Sequence, residues 1–230
     1  MSRLEDRIEI ANPQQPHCAT VLLLDASGSM SGPKIAALNE GLRIFKDEVS
    51  NDELAAKRVD LAVVTFGATV SVLVDFSSIH DFEVPTLTAA GLTPMGEAIS
   101  KAIDMVETRK QQYKLQGIDY YRPWIFMITD GDPTDIQPGD ATWNEVTRKL
   151  HEGEAGKNFM FFAVAVEPAN TDVLAQIAPQ NRPPVKLKGT KFKEMFQWLS
   201  KSQSKVSASK VGEQITLENP VAAGWGQVSV

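Results

Sequence analysis

Asp25, Ser27 and Ser29 stand at two-residue spacing in the stretch LLLDASGSMSG, directly after an apolar run. Two further oxygen-bearing residues occupy comparable places. Thr93 lies in GLTPMGEA, before an amphipathic pattern, and Asp130 lies in MITDGDPTD, after a second apolar run. Two carboxylates and three hydroxyls, with no His or Cys close to them in sequence, form a hard-ligand set. Such a set suits Mg2+, with Mn2+ or Ca2+ as alternatives, rather than zinc. In a partly extended loop alternate side chains face one side, so Asp25, Ser27 and Ser29 can point at one ion. Gly28 keeps the turn between them uncrowded. Two aspartates balance one divalent charge, and the other donors are neutral. An ion held in this way stays electrophilic and accepts one more carboxylate, which the Asp or Glu of a protein partner can supply.

Taken alone, Asp25, Ser27 and Ser29 also fit a turn and helix-cap cluster, because Asp and Ser favour both. Thr93 and Asp130, at the predicted rims of other elements, tip the reading toward a metal site. Ser31, beside Gly32 and Pro33, reads as a helix cap. Asp132 and Asp135 fit either a role in orienting the loop or a solvated turn, and Glu97 reads as an acid at a helix start. Cys18 reads as core, Trp225 as an anchor for the chain's end, and His17, His80 and His151 as surface residues.

The elements that must position these groups follow from periodicity. The runs at Cys18–Leu24, Arg58–Gly67, Tyr121–Thr129 and Asn158–Val166 are apolar almost throughout, as expected of strands covered on both faces. Thr69–Phe76 follows the second run too closely for a crossover helix, which predicts an antiparallel hairpin with a two-residue loop near Gly67–Ala68. Val185–Leu187 is a weak sixth strand. Apolar residues at helical spacing mark helices over Ile35–Val49 and Met95–Tyr113, around Trp143–Leu150, and over Asp172–Ala178 and Phe192–Leu199. Alternating strands and helices predict an α/β fold. It is doubly wound, with a mostly parallel six-stranded sheet, one antiparallel edge strand and helices on both faces. The ligand site of such a sheet lies beyond the carboxyl ends of its strands.

The 230 residues suit one large domain with extensions. The expected division is an N-terminal extension over 1–17, the α/β domain over 18–199, and a linker and tail over 200–230 packed on the domain. Ser200–Lys210 (SKSQSKVSASK) reads as the linker. Hydrophobic residues make up 43% of the chain, enough for a core, and the net charge is −6 with no basic run, which argues against nucleic acid and anionic membranes as partners. No apolar stretch reaches the roughly 20 residues of a membrane-spanning helix. The first residues lack the apolar centre of a signal peptide. A single cysteine fits a reducing compartment, so the cytoplasm is expected.

The three-part pattern of D-x-S-x-S at Asp25–Ser29, the threonine of GLTPMGEA and the aspartate of MITDGDPTD resembles the metal-ion-dependent adhesion site of von Willebrand factor A domains. The resemblance covers about Ala19–Leu199. It implies that Ser27, Ser29 and Thr93 bind the metal through their hydroxyls, and that Asp25 and Asp130 act directly or through water. Within the family, DASGSMSG, LTPMGEAI and GEQITL look most like bacterial cytosolic members of the TerY type, associated with tellurite resistance and stress response. That likeness implies a protein kinase and a phosphatase as partners.

The expected function is therefore a metal-dependent protein-interaction module, not an enzyme. The alternative is a Mg2+-dependent phosphatase or other hydrolase. Against it, position 27 is a serine instead of a second aspartate, and Lys34 is the only base near the loop. A G-x-x-x-x-G-K-[ST] loop and a G-x-S-x-G elbow are both absent from the sequence. A purely structural metal is the third possibility.

Overall fold

The structure, a computed structural model, describes residues 10–227. Residues 1–9 of the N-terminal extension expected over 1–17, and the last three residues of the tail, lie outside the described residues. Seven strands form one sheet: β1 (Cys18–Asp25), β2 (Val59–Phe66), β3 (Val70–Ser78), β4 (Trp124–Thr129), β5 (Met160–Ala165), β6 (Val185–Leu187) and β7 (Gly226–Gln227). Their order is β3-β2-β1-β4-β5-β6-β7. β1, β2, β4, β5 and β6 run parallel, and β3 and β7 are antiparallel to their neighbours. The expected six strands with one antiparallel edge are thus seven with two. The extra strand has two residues and arises because the C-terminal segment returns to the sheet.

Every residue of β1, β2 and β4 is buried, which explains their unbroken apolar runs: both faces are covered. On β1, Cys18, Leu22 and Leu24 enter one core, and Val21 and Leu23 enter the other. The first core is closed by helices α1 (Pro33–Asn51), α2 (Ala55–Arg58) and α6 (Phe192–Ala208). The second is closed by α3 (Met95–Gln116), α4 (Ala141–Ala155) and α5 (Thr171–Ile177). The hairpin loop has three residues instead of two, because Phe66 pairs with Val70.

Helix α6 corrects the linker reading. Residues 200–208 continue it, and Ser200, Ser202, Gln203 and Ser207 are buried. Their polar side chains hide the helical period, yet Gln203 Nε2 donates to Thr20 Oγ1 at 3.0 Å and Ser200 Oγ donates to Glu48. His17 is also not a surface residue. It is 1% exposed, and its Nδ1 lies 3.1 Å from Asp60 Oδ1. His151 is half-buried, its Nε2 lying 3.0 Å from the carbonyl oxygen of Ile177, whereas His80 is exposed. No described helix is long and apolar enough to cross a membrane.

Candidate metal centre

The strand order reverses between β1 and β4, the place where an open parallel sheet leaves a crevice at its carboxyl edge. Leu24 is in register with Ile128, so Asp25 and Asp130 leave the sheet side by side. Asp25, Ser27, Thr93 and Asp130 are buried and Ser29 is exposed, so the group opens to solvent at one hydroxyl.

The Asp25 carboxylate is held at both oxygens. The backbone N–H of Ser27 donates to Oδ1 at 2.8 Å, and Thr129 Oγ1 donates to Oδ2 at 2.6 Å. Burial pushes the Asp25 pKa up, and the hydrogen bonds from Ser27 and Thr129 only partly oppose it. The fold therefore buries a charge that it does not fully compensate. From Ser27 a chain of hydroxyls leads across the crevice. Ser27 Oγ lies 2.9 Å from Ser29 Oγ, and Ser29 Oγ donates to Asp130 Oδ1 at 2.6 Å. The other oxygen of Asp130 accepts from the Lys34 ammonium.

Thr93 joins from a third loop. A Cβ built on Gly131 would sit 3.2 Å from Thr93 Oγ1 and 4.0 Å from Asp25 Oδ2. Gly131 therefore keeps clear a small oxygen-lined space between these two groups. Two backbone bonds fix the Thr93 loop to the Asp25 loop: Ala90 N–H donates to Ala26 at 2.7 Å, and Gly28 N–H donates to Gly91 at 3.0 Å. Gly67 allows this approach, since a Cβ there would come within 2.6 Å of the Ala26 carbonyl and 2.7 Å of the Ala90 carbonyl.

A second clamp joins the Thr93 and Asp130 loops. Thr134 Oγ1 accepts from the Thr93 N–H at 3.1 Å, and Thr134 N–H donates to the Thr93 carbonyl at 2.9 Å. Asp135 accepts from the N–H groups of Gly96 and Glu97 at 3.1 and 2.8 Å. It thus satisfies the exposed end of α3 from across the crevice. Asp132 is exposed, and Glu97 sits in the first turn of α3. Ser31 does not cap α1, whose N-cap is Gly32. Its hydroxyl instead donates to the Gly28 carbonyl at 2.7 Å and closes a 3-10 turn over Gly28–Met30. Sequence reasoning missed Thr129 and Thr134. The threonines flanking the acids of TDGDPTD are the one local sign of them.

Among the described residues no group of three or more His, Cys, Asp or Glu side chains could hold a metal. An ion at this crevice must therefore draw on hydroxyl oxygens, and those of Ser27, Ser29, Thr93 and Thr129 lie around the two aspartates. The oxygen-only donors, the under-compensated Asp25 and the space kept by Gly131 fit a hard divalent cation.

The sequence profile of the von Willebrand factor type A domain matches residues 20–200. The chain belongs to this family. Its fold is also that of several solved structures. The pilus adhesin SpaC from Lactobacillus rhamnosus GG matches with 13% identity and a TM-score of 0.65, over 83% of this chain and 31% of the adhesin. The ArnB paralog VWA2 from Sulfolobus acidocaldarius matches with 16% identity and a TM-score of 0.56, over 80% of this chain and 44% of the paralog. Proximal thread matrix protein 1 from the mussel byssus, in a structure with a zinc-occupied MIDAS motif, matches with 19% identity and a TM-score of 0.56, over 86% of this chain and 46% of that protein. The chain thus spans about a third to a half of the length of these three structures. No curated relative matches the sequence.

Proposed function

We propose that this domain binds a protein partner through a divalent cation, and that it is not an enzyme. Ser27, Ser29 and Thr93 would hold the ion through neutral hydroxyls, with Asp25 and Asp130 supplying the balancing charge. When bound there, the ion would supply a Lewis-acidic position for the Asp or Glu carboxylate of a partner. The single observation carrying this reading is the convergence of five oxygen donors from three clamped loops at the reversal of strand order. The zinc-occupied motif of the mussel protein supports a divalent ion in this kind of site. Mg2+ is the ion proposed here, on the hardness of the oxygen donors. The phrases DASGSMSG, LTPMGEAI and GEQITL support a bacterial TerY-type member acting in the cytoplasm in tellurite resistance or stress response, with a kinase and phosphatase as partners. The lone Cys18 supports that compartment.

The test joins calorimetry to partner capture. Wild-type chain takes up Mg2+ or Mn2+, and Asp25→Ala and the Ser27→Ala/Ser29→Ala pair do not. Proteins retained by the wild type are released by EDTA. Partner retention that ignores both the chelator and Asp25→Ala overturns the reading.

A further inference from the structure

The chain does not leave the domain after α6. Residues 210–225 form a strap of turns and extended backbone before β7 pairs with β6. The strap is tied to α6: Trp198 Nε1 donates to the Glu218 carbonyl at 2.8 Å, and Lys191 Nζ donates to the Gly224 carbonyl at 2.9 Å. Ile215 and Leu217 pack against the core. Between the strap, α6 and strands β4 and β5 lies a cavity of about 1020 Å³. That is at the upper end of the roughly 300–1,000 Å³ typical of small-molecule sites.

Its lining is aromatic. Phe162 is 4.8 Å from Trp124 and 6.1 Å from Trp198 between ring centres, and Trp198 is 5.4 Å from Trp225. Its half-buried charges are two lining guanidiniums, those of Arg122 and Arg182, and an exposed Lys157 also lines it. Both contact Glu154 Oε1, at 3.1 and 3.4 Å, while Glu154 Oε2 is already taken by the Phe161 N–H. In this half-buried cluster two guanidiniums against one carboxylate leave one positive charge. Burial holds the Arg122 pKa below its ordinary range; Glu154 opposes this, and Arg182 adds to it. The strap's own acids that line the cavity, Glu213 and Glu218, are exposed.

The unpartnered polar atoms complete the picture. Among the described residues, the buried side-chain atoms that lack a hydrogen-bond partner and belong to lining residues are Arg182 Nε and Trp225 Nε1. Both are donors. Arg182 also lies over the Phe162 ring, 4.6 Å from its centre. A ligand suited to this cavity therefore brings an apolar body for its half-buried apolar side chains, acceptor oxygens for the N–H groups and one negative charge.

We propose that this cavity binds a small amphipathic carboxylate, its apolar body against the half-buried Met160, Phe162, Ile215 and Leu217 and its head at Arg182. This site is separate from the metal crevice and does not depend on it.

The test titrates the full chain with decanoate, 1-decanol and decyltrimethylammonium below micellar concentrations. Tryptophan fluorescence is the readout, since three of the four tryptophans, Trp124, Trp198 and Trp225, line the cavity. Decanoate is expected to bind saturably and at least tenfold tighter than decanol, and the ammonium not to saturate. Arg182→Met abolishes the preference for the acid, and Trp225→Phe weakens decanoate binding while keeping the ring. Lys34→Met, beside the metal crevice, leaves decanoate binding unchanged. Thermal melts establish that each variant is folded. Equal affinity for acid and alcohol, an acid preference that survives in folded Arg182→Met, or no saturable binding of decanoate overturns the proposal.

Discussion

The ammonium of Lys34 is hydrogen-bonded to Oδ2 of Asp130 and reaches the carbonyl oxygen of Ser29 at 3.3 Å. Asp130 is fully enclosed in this pair and Lys34 is 24% exposed. Lys34 stands one residue into α1, so the helix that covers one core also delivers a fixed positive charge to the metal crevice. An ammonium and a divalent cation draw on the same carboxylate, and like charges a few ångströms apart repel in a partly dry site.

Lys34→Met therefore raises metal affinity. Calorimetry with Mn2+ should show a gain of about tenfold, equivalent to about 1.4 kcal/mol. The same variant should bind acidic partners more weakly, because Lys34 adds to the positive field that draws them. A fall in Mn2+ affinity would make Lys34 a support of the site instead of a competitor.

Asp60 anchors the opposite end of the sheet. Its carboxylate accepts from Arg109 at 2.6 Å and from Tyr113 Oη at 2.6 Å, with His17 on the other oxygen. Burial pushes its pKa up, but the His17 hydrogen bond and the Arg109 charge outweigh burial and hold it below the ordinary carboxylate range. The folded value lies below the unfolded value of about 3.9. The stability gained is thus fully present above pH 4 or so, and is lost as pH falls through the folded value. Asp60→Asn leaves Arg109 buried without its counter-charge and should cost about 3–5 kcal/mol in urea unfolding at pH 7. The difference between wild type and variant should shrink as the pH drops below about 4.

Cys18 is fully buried, and burial pushes its thiol up to about 12; the Thr20 hydroxyl opposes this and Asp60 adds to it. Alkylation needs the thiolate. Native protein at pH 8 should react with iodoacetamide at least about a hundredfold more slowly than protein unfolded in urea. Mass spectrometry of the labelled chain measures both rates, and equal rates would place Cys18 outside the packed core.

The sequence by itself determined the alternation of strands and helices and the antiparallel hairpin, and it marked Asp25, Ser27, Ser29, Thr93 and Asp130 as candidate oxygen donors. These were legible because hydrophobic period and loop composition are local properties of the chain. The buried strands declare themselves as runs such as CATVLLL, and the donors stand at their ends. Only the tertiary structure decided the rest. Residues 200–208 are helical although their buried face carries serines and a glutamine, because Thr20 and Glu48 supply hydrogen bonds from far along the chain. His17 is core because Asp60, 43 residues away, gives it a partner. β7 exists because β6 offers an open edge to a returning segment. Each of these depends on which distant groups meet, and spacing along the sequence carries no record of that.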